Sequence, residues 1–279
     1  MRQRVFRYLH SVPAPGRDGV ALWDLVEIAL VALGFLLYFL VRGAVVDRAP
    51  EAFANARAII DLQTSIGLWV ELEVNRWTLE SIWRVRLFNF AYFWLDFPLI
   101  VALGLLLFWR SRDLYTLLRD ALLSSGGIAL ILYWSYPVAP PRLLPEWDFV
   151  DTLQQFSNLA YQTQSTAPFV NPYAAVPSLH VGWALLVVVV VFLATPSWLW
   201  RVVSIALLAL QSVAVVATAN HYILDGVAGV AVALAGLAVA LWLRRTGYPR
   251  VHAWLGARAP REGVEGGAPP AGGRGASDR

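Results

Sequence analysis

Val176-Pro177-Ser178-Leu179-His180-Val181-Gly182-Trp183-Ala184 opens a stretch that carries no Asp, Glu, Lys or Arg until well beyond Thr195-Pro196. Such a run approaches the roughly 20 apolar residues a helix needs to cross a bilayer. Its one titratable side chain, His180, stands at the entrance. A second polar motif, His221-Tyr222-Ile223-Leu224-Asp225, begins 41 positions after His180, where one apolar segment gives way to the next. Groups that titrate near neutral pH are costly at membrane depth and mark functional sites.

Working outward, six segments meet the length and apolarity of a spanning helix, near 22–41, 88–109, 114–136, 178–197, 201–220 and 223–243. Between the first two, Phe53, Ala56, Ile59 and Ile60 recur at helical spacing among Asn55, Arg57, Asp61 and Gln63. Residues of about 50–81 therefore read as one or two amphipathic helices on the membrane surface, with Trp69, Trp77 and Trp83 in the headgroup belt. The stretch 137–176 holds Pro137, Pro140, Pro141, Pro145, Pro168 and Pro172 and reads as a structured loop, with a short helix near 148–162. The fold class is an all-α, polytopic membrane helix bundle of six transmembrane helices plus interfacial helices. Residues 1–20 form an N-terminal segment, 21–250 the membrane catalytic domain, and 251–279 a Gly-, Ala-, Pro- and Arg-rich tail expected to be disordered. No internal repeat is visible, and no cleavable signal peptide precedes the first apolar run.

Composition narrows the chemistry. Of 279 residues 58% are hydrophobic and 15% charged, far from the quarter usual in soluble domains. Cysteine is absent, which excludes disulfides, thiol nucleophiles and thiolate metal sites. All 22 basic residues are arginine, so a Schiff base or a P-loop lysine is excluded as well. The arginines flank apolar spans and do not interleave with exposed aromatics, which argues against a nucleic-acid partner.

Arginine placement also orients the bundle. With six spans, 15 of the 22 arginines fall on the side of the two termini and seven on the other. The expectation is an integral membrane protein of a bacterial-type plasma membrane with both termini cytoplasmic. His180, His221, Asp225 and Arg142 then share the extracytoplasmic rim.

At that rim His221 and Asp225 are four apart, and on one helix face they would touch. A carboxylate on an imidazole fixes its tautomer and raises its basicity. Ser178 stands where a helix N-cap is expected, and a helix N-terminus suits a phosphate. His180, one turn in, can donate a proton to a leaving oxygen. Arg142, fixed by Pro140-Pro141, can grip phosphate oxygens. Taken singly, Ser178 reads equally as a cap, His180 as an interfacial imidazole, Asp225 as a solvated carboxylate and Arg142 as a snorkelling side chain. Pro141, Asn220 and Tyr222, flanking these groups, complete the expected substrate-binding set.

Together these residues resemble the type 2 phosphatidic acid phosphatase superfamily of membrane lipid phosphatases and phosphotransferases. That family carries Lys-x6-Arg-Pro, Pro-Ser-Gly-His and Ser-Arg-x5-His-x3-Asp. Here Pro177-Ser178-Leu179-His180 matches the second with Leu179 in place of Gly, and His221-x3-Asp225 matches the end of the third. The arginine of the third motif falls at Val215, and Pro140-Pro141-Arg142 looks like a remnant of the first. The resemblance implies that His221 is the nucleophile, forming a phosphohistidine, that Asp225 orients it, and that His180 protonates the leaving group, without metal or cofactor. The altered motifs look most like the inositol-phosphorylceramide-synthase-like (inositolphosphotransferase) branch, whose members move a phosphorylated headgroup between lipids. The expected partners are a lipid bearing a phosphorylated headgroup and, as acceptor, water or a lipid hydroxyl. Two other readings stand beside this one: a non-catalytic lipid transporter or lipid-binding protein, and a metal site built from His180, His221 and Asp225.

Overall fold

The computed structural model describes residues 48–156 and 172–250, together with Ile28, Ala29, Val31, Ala32, Gly34 and Leu36. The N-terminal segment 1–20, most of the expected first span, residues 157–171 of the Pro-rich loop and the tail 251–279 lie outside the described residues. The architecture is all-α. Among the described residues there is no strand, only an isolated parallel bridge between Val138 and Ala174.

Among the described residues from Arg48 onward the α-helices follow in order: α1 Ala49–Ser65, α2 Glu71–Leu79, α3 Ile82–Trp94, α4 Phe97–Arg110, α5 Arg112–Ser135, α6 Thr152–Phe156, α7 Leu179–Ala194, α8 Trp198–Ala217 and α9 Ile223–Trp242. A 3₁₀ turn covers Pro141–Leu143, and a short π-helical turn, Leu243–Gly247, prolongs α9. Among the described residues three helices are long and apolar enough to cross a membrane, namely Arg112–Ser135, Trp198–Ala217 and the extended Ile223–Arg250. The described residues thus supply three candidate spans, or four if α3 and α4 are joined, where the sequence led us to expect six.

Two differences have local causes. The expected span 88–109 is broken into α3 and α4, bent by 44°. Pro98, in the first turn of α4, has no N–H to give to the Trp94 carbonyl, and its ring excludes a continuous helix there. The expected span 178–197 is the 16-residue α7. At 1.5 Å per residue it reaches about 24 Å, short of a hydrocarbon core of about 30 Å. It begins after Pro177 and stops before Pro196.

Helix α7 is the centre of the bundle, packed against α5, α8 and α9. Its buried positions (Leu179, Val181, Gly182, Trp183, Ala184, Leu186, Val187 and Val190) run all round the helix, as a helix enclosed on every side requires. Lipid offers no hydrophobic gain for packing apolar helices together, so close backbone approach carries the association. A Cβ on Gly229 of α9 would stand 2.0 Å from the Ser178 carbonyl oxygen, and one on Gly182 would stand 2.5 Å from that of Gly229. This contact sets the N-termini of α7 and α9 side by side. Outward, Trp109, Trp134 and Trp198 are each at least 65% exposed near helix ends, where aromatic belts form.

Helix α1 departs from the expectation of a surface-lying helix. Its stripe Ala52, Ala56, Ile59 and Ile60 is buried against Val138, Ala139, Leu144, Ala175 and Tyr222, protein rather than headgroups. Trp69 likewise packs edge-on to Trp147 and Phe149, with centroids at 5.2 and 6.0 Å. Trp83 remains exposed, as a headgroup-belt residue would be. The loop 137–156 is held down by polar contacts with the helices beneath it. Asn75 donates to the carbonyls of Val150 and Ala217, and Asn89 exchanges hydrogen bonds with Thr152.

Candidate active site

The site forms where the starts of α7 and α9 meet the loop. Helix α8 ends in a Schellman arrangement: Ala219 N–H donates to the Val216 carbonyl, and Asn220 N–H to that of Val215. Ala219 takes φ +58°, the left-handed conformation that ordinarily favours glycine. His221 N–H also reaches the Val215 carbonyl, at 3.1 Å. The turn therefore delivers Asn220, His221 and Tyr222 in a fixed order immediately before α9.

His221 Nδ1 lies 2.8 Å from the Ala175 carbonyl and 3.2 Å from Asp225 Oδ2. A carbonyl can only accept, so Nδ1 carries the proton and the lone pair is on Nε2. Asp225 is fully buried and also accepts the Tyr222 N–H at 2.8 Å. Its own carbonyl receives the Ser178 N–H at 2.9 Å, which couples the two motifs through the backbone.

The His180 ring stands 5.7 Å from that of His221, inclined at 62°. It is sandwiched by α3 and α8: Tyr92 lies 4.2 Å away, centroid to centroid, and the Gln211 amide nitrogen 3.2 Å from Nδ1. The same Nδ1 is 3.1 Å from Asp96 Oδ2. Each imidazole thus has a carboxyl at its Nδ1, and the site holds two dyads, His221–Asp225 and His180–Asp96. Asp96 is the residue the sequence reading passed over. Its signal was present: Asp96-Phe97-Pro98 is a helix-start pattern inside what otherwise reads as an apolar span.

Ser178 occupies the N-cap of α7 as expected, but makes no side-chain capping bond. Its hydroxyl is buried without a hydrogen-bond partner. Such an orphan costs free energy and, beside the first N–H groups of a helix N-terminus, has the form of an anion contact. Arg142 reaches in from the 3₁₀ turn. Its backbone N–H donates to Ala219 O at 3.0 Å, its Nη1 to Asn220 Oδ1, and its Nε is 3.2 Å from Asp151 Oδ2. Asn220 is thereby a partner of the arginine, its own amide donating to Thr218. Pro141 is buried in the turn that presents Arg142. Tyr222 is buried, and its hydroxyl donates to Ala139 O at 2.9 Å. Burial pushes that hydroxyl well above its ordinary pKa, so it stays a donor and ties the loop to α9. Among the described residues no group of three or more His, Cys, Asp or Glu is placed to hold a metal ion. His180 and His221 direct their Nδ1 atoms at Asp96 and Asp225.

Two facing imidazoles, each with a carboxyl at Nδ1, an orphan hydroxyl at a helix N-terminus and an aimed guanidinium make a site suited to phosphorus chemistry. The family model of the PAP2 superfamily matches residues 57–239. The chain belongs to the PAP2 superfamily. Members of the PAP2 superfamily are in general phosphatases and phosphotransferases, acting on lipid phosphates. The matched stretch contains Arg142, Ser178 and both dyads, Asp96 included. No curated protein and no solved structure matches the chain. Within the PAP2 superfamily pattern described above, the third motif's arginine position is Val215. Here it is 1% exposed, packed with Ala214, Val216 and Ala217 against Phe88, Ala91 and Tyr92.

Proposed function

We propose that the protein is an integral-membrane lipid phosphotransferase of the inositolphosphotransferase-like branch, taking a phosphodiester headgroup from one lipid and passing it to the hydroxyl of another. The observation that carries the reading is the facing pair of imidazoles, each with Nδ1 set on a carboxyl, at the N-terminus of α7 beside the orphan Ser178 hydroxyl.

His221 Nε2 attacks phosphorus, the P–O bond to the donor lipid breaks, and His180 gives its Nε2 proton to the departing oxygen. The headgroup phosphate is then carried on His221 as a phosphohistidine. The acceptor hydroxyl attacks phosphorus, its proton passes to His180, and the P–N bond breaks. Arg142, the Ser178 hydroxyl and the first N–H groups of α7 neutralise the equatorial oxygens. Water in place of the acceptor hydrolyses the diester and frees the phosphorylated headgroup; only a monoester donor would make the same step a phosphatase reaction.

Charge supports a diester donor. A phosphomonoester brings close to two negative charges, a diester one. This chain has no lysine, has Val215 in place of an arginine, and shares Arg142 with Asp151. One negative charge is what so few cations can neutralise. Arginine distribution supports an extracytoplasmic site with cytoplasmic termini.

The test uses purified protein in lipid nanodiscs with headgroup-labelled phosphatidylinositol and other phosphodiester lipids, plus a hydroxyl lipid. New labelled lipid, and label trapped on the protein in an acid-labile bond, are expected from the wild type and neither from His221→Ala. Full turnover by His221→Ala would refute the mechanism.

A further inference from the structure

Asp96 sits at the N-cap of α4, where a carboxyl ordinarily accepts N–H groups of its own helix, yet it makes no capping bond. It points instead at His180 Nδ1, 3.1 Å away, with both side chains mostly buried, at 14% and 16% exposure. A buried carboxyl–imidazole pair is rarely a good source of stability, because desolvation offsets the attraction. A carboxyl in a stretch with no other charge between Arg86 and Arg110 is dearer still, and groups retained there serve function. Tyr92 on one face and Gln211 at the same nitrogen leave the ring little freedom to turn.

We infer that Asp96 is a positioning residue for the acid: it holds the proton of His180 on Nδ1, turns Nε2 towards the phosphoryl site, and stabilises the imidazolium that must give up its Nε2 proton. This deepens the reading given under Proposed function and rests on it. His180 takes a proton in the second half-reaction as well, so the role of Asp96 is best isolated in the first. When the P–O bond breaks, a lipid alkoxide is a poor leaving group and needs the proton, whereas a nitrophenolate departs without it. Asp96 therefore governs which leaving groups the site can expel. Asp225 serves His221 and has no such selectivity.

The experiment uses the full chain in nanodiscs and two probes that transfer the same dodecylphospho group. Didodecyl phosphate must shed dodecanol; dodecyl 4-nitrophenyl phosphate sheds nitrophenolate. Release of the leaving group in the first turnover isolates the step before acceptor attack. Asp96→Asn should slow dodecanol release by about 10- to 100-fold, part of the usual contribution of a positioned acid. Nitrophenolate release should stay within about threefold, which also reports that the variant is folded. Asp96→Glu, which retains a carboxyl, should recover part of the dodecanol rate. Equal losses on both probes in both variants would overturn the role of Asp96 while leaving phosphoryl transfer intact. A wild type silent on both probes would overturn phosphoryl transfer itself, and this inference with it.

Discussion

Glu71 Oε1 accepts the Ile223 N–H at 2.9 Å across a separation of 152 residues. The first N–H groups of α9 have no partner within their own helix, and here side chains of α1 and α2 supply acceptors. Gln63 Oε1 takes the neighbouring Leu224 N–H at 3.1 Å, and its amide donates to Glu71. Both side chains are fully buried. The helix that begins two residues after His221 is thus capped from α1 and α2, and the placement of His221 depends on them.

Glu71→Ala should therefore cost stability and activity together. It strips a buried N–H and the Gln63 amide of their acceptor, which typically costs about 1–3 kcal/mol. Thermal unfolding in nanodiscs should show a lower Tm, with turnover falling alongside it. An unchanged Tm would mean that the cap is dispensable.

Asp225→Asn separates charge from geometry. Tyr222 N–H and His221 Nδ1 both address Oδ2, so an amide oxygen in that place keeps both contacts. The Ala175 carbonyl independently holds the tautomer. What disappears is the negative charge that stabilises His221 as it becomes cationic. Turnover should fall by about 100-fold with little change in Tm. Retention of wild-type kcat would show that Ala175 alone suffices.

Much of this site was legible because its polar groups interrupt apolar runs. His180, His221 and Asp225 declare themselves at span entrances, and the α7 and α9 starts fall within a few residues of where hydropathy places them. Asp96 was hidden because one carboxyl in a 22-residue apolar window barely changes its average, although Pro98 two residues on marks the break. Gln63 read as the wet face of an amphipathic helix and Glu71 as part of the same surface segment, since no local pattern shows that α1 and α2 fold over α9. Tyr222 and Asn220 were expected at the substrate. Their partners, Ala139 O and Arg142, come from the distant loop, a pairing that spacing does not encode.

The α7–α9 contact gives a paired test. Gly229→Ala places a methyl 2.0 Å from the Ser178 carbonyl, an atom of backbone that cannot rotate away. The helices must part, with a loss of about 1–3 kcal/mol or more. Because Ser178 N–H is bonded to the Asp225 carbonyl, activity should fall further than stability alone explains. Gly104→Ala meets nothing within 4 Å and should be neutral, or stabilising by up to about 1 kcal/mol through helix propensity. Equal behaviour of the two variants in a thermal melt would refute the close approach.

The loop is also fastened at its outer edge, and this fastening responds to pH. Arg57 Nε of α1 donates to Glu146 Oε1 at 2.6 Å. The guanidinium holds the Glu146 carboxyl below the usual glutamate range, while the carboxyl raises Arg57 further above neutrality. A carboxyl whose pKa is lower folded than unfolded contributes stability above its unfolded value, about 4.3, and loses it as pH falls through the folded value. The contribution is complete at pH 6–8 and disappears only in acid. Both groups are solvent-exposed, so the effect is small and screened by salt. Arg57→Gln should lower the Tm slightly at pH 7 in low salt and match the wild type once Glu146 is protonated in the folded protein, below its lowered value. A difference that persists in acid, or one insensitive to salt, would mean that Arg57 acts through packing of its stem rather than through Glu146.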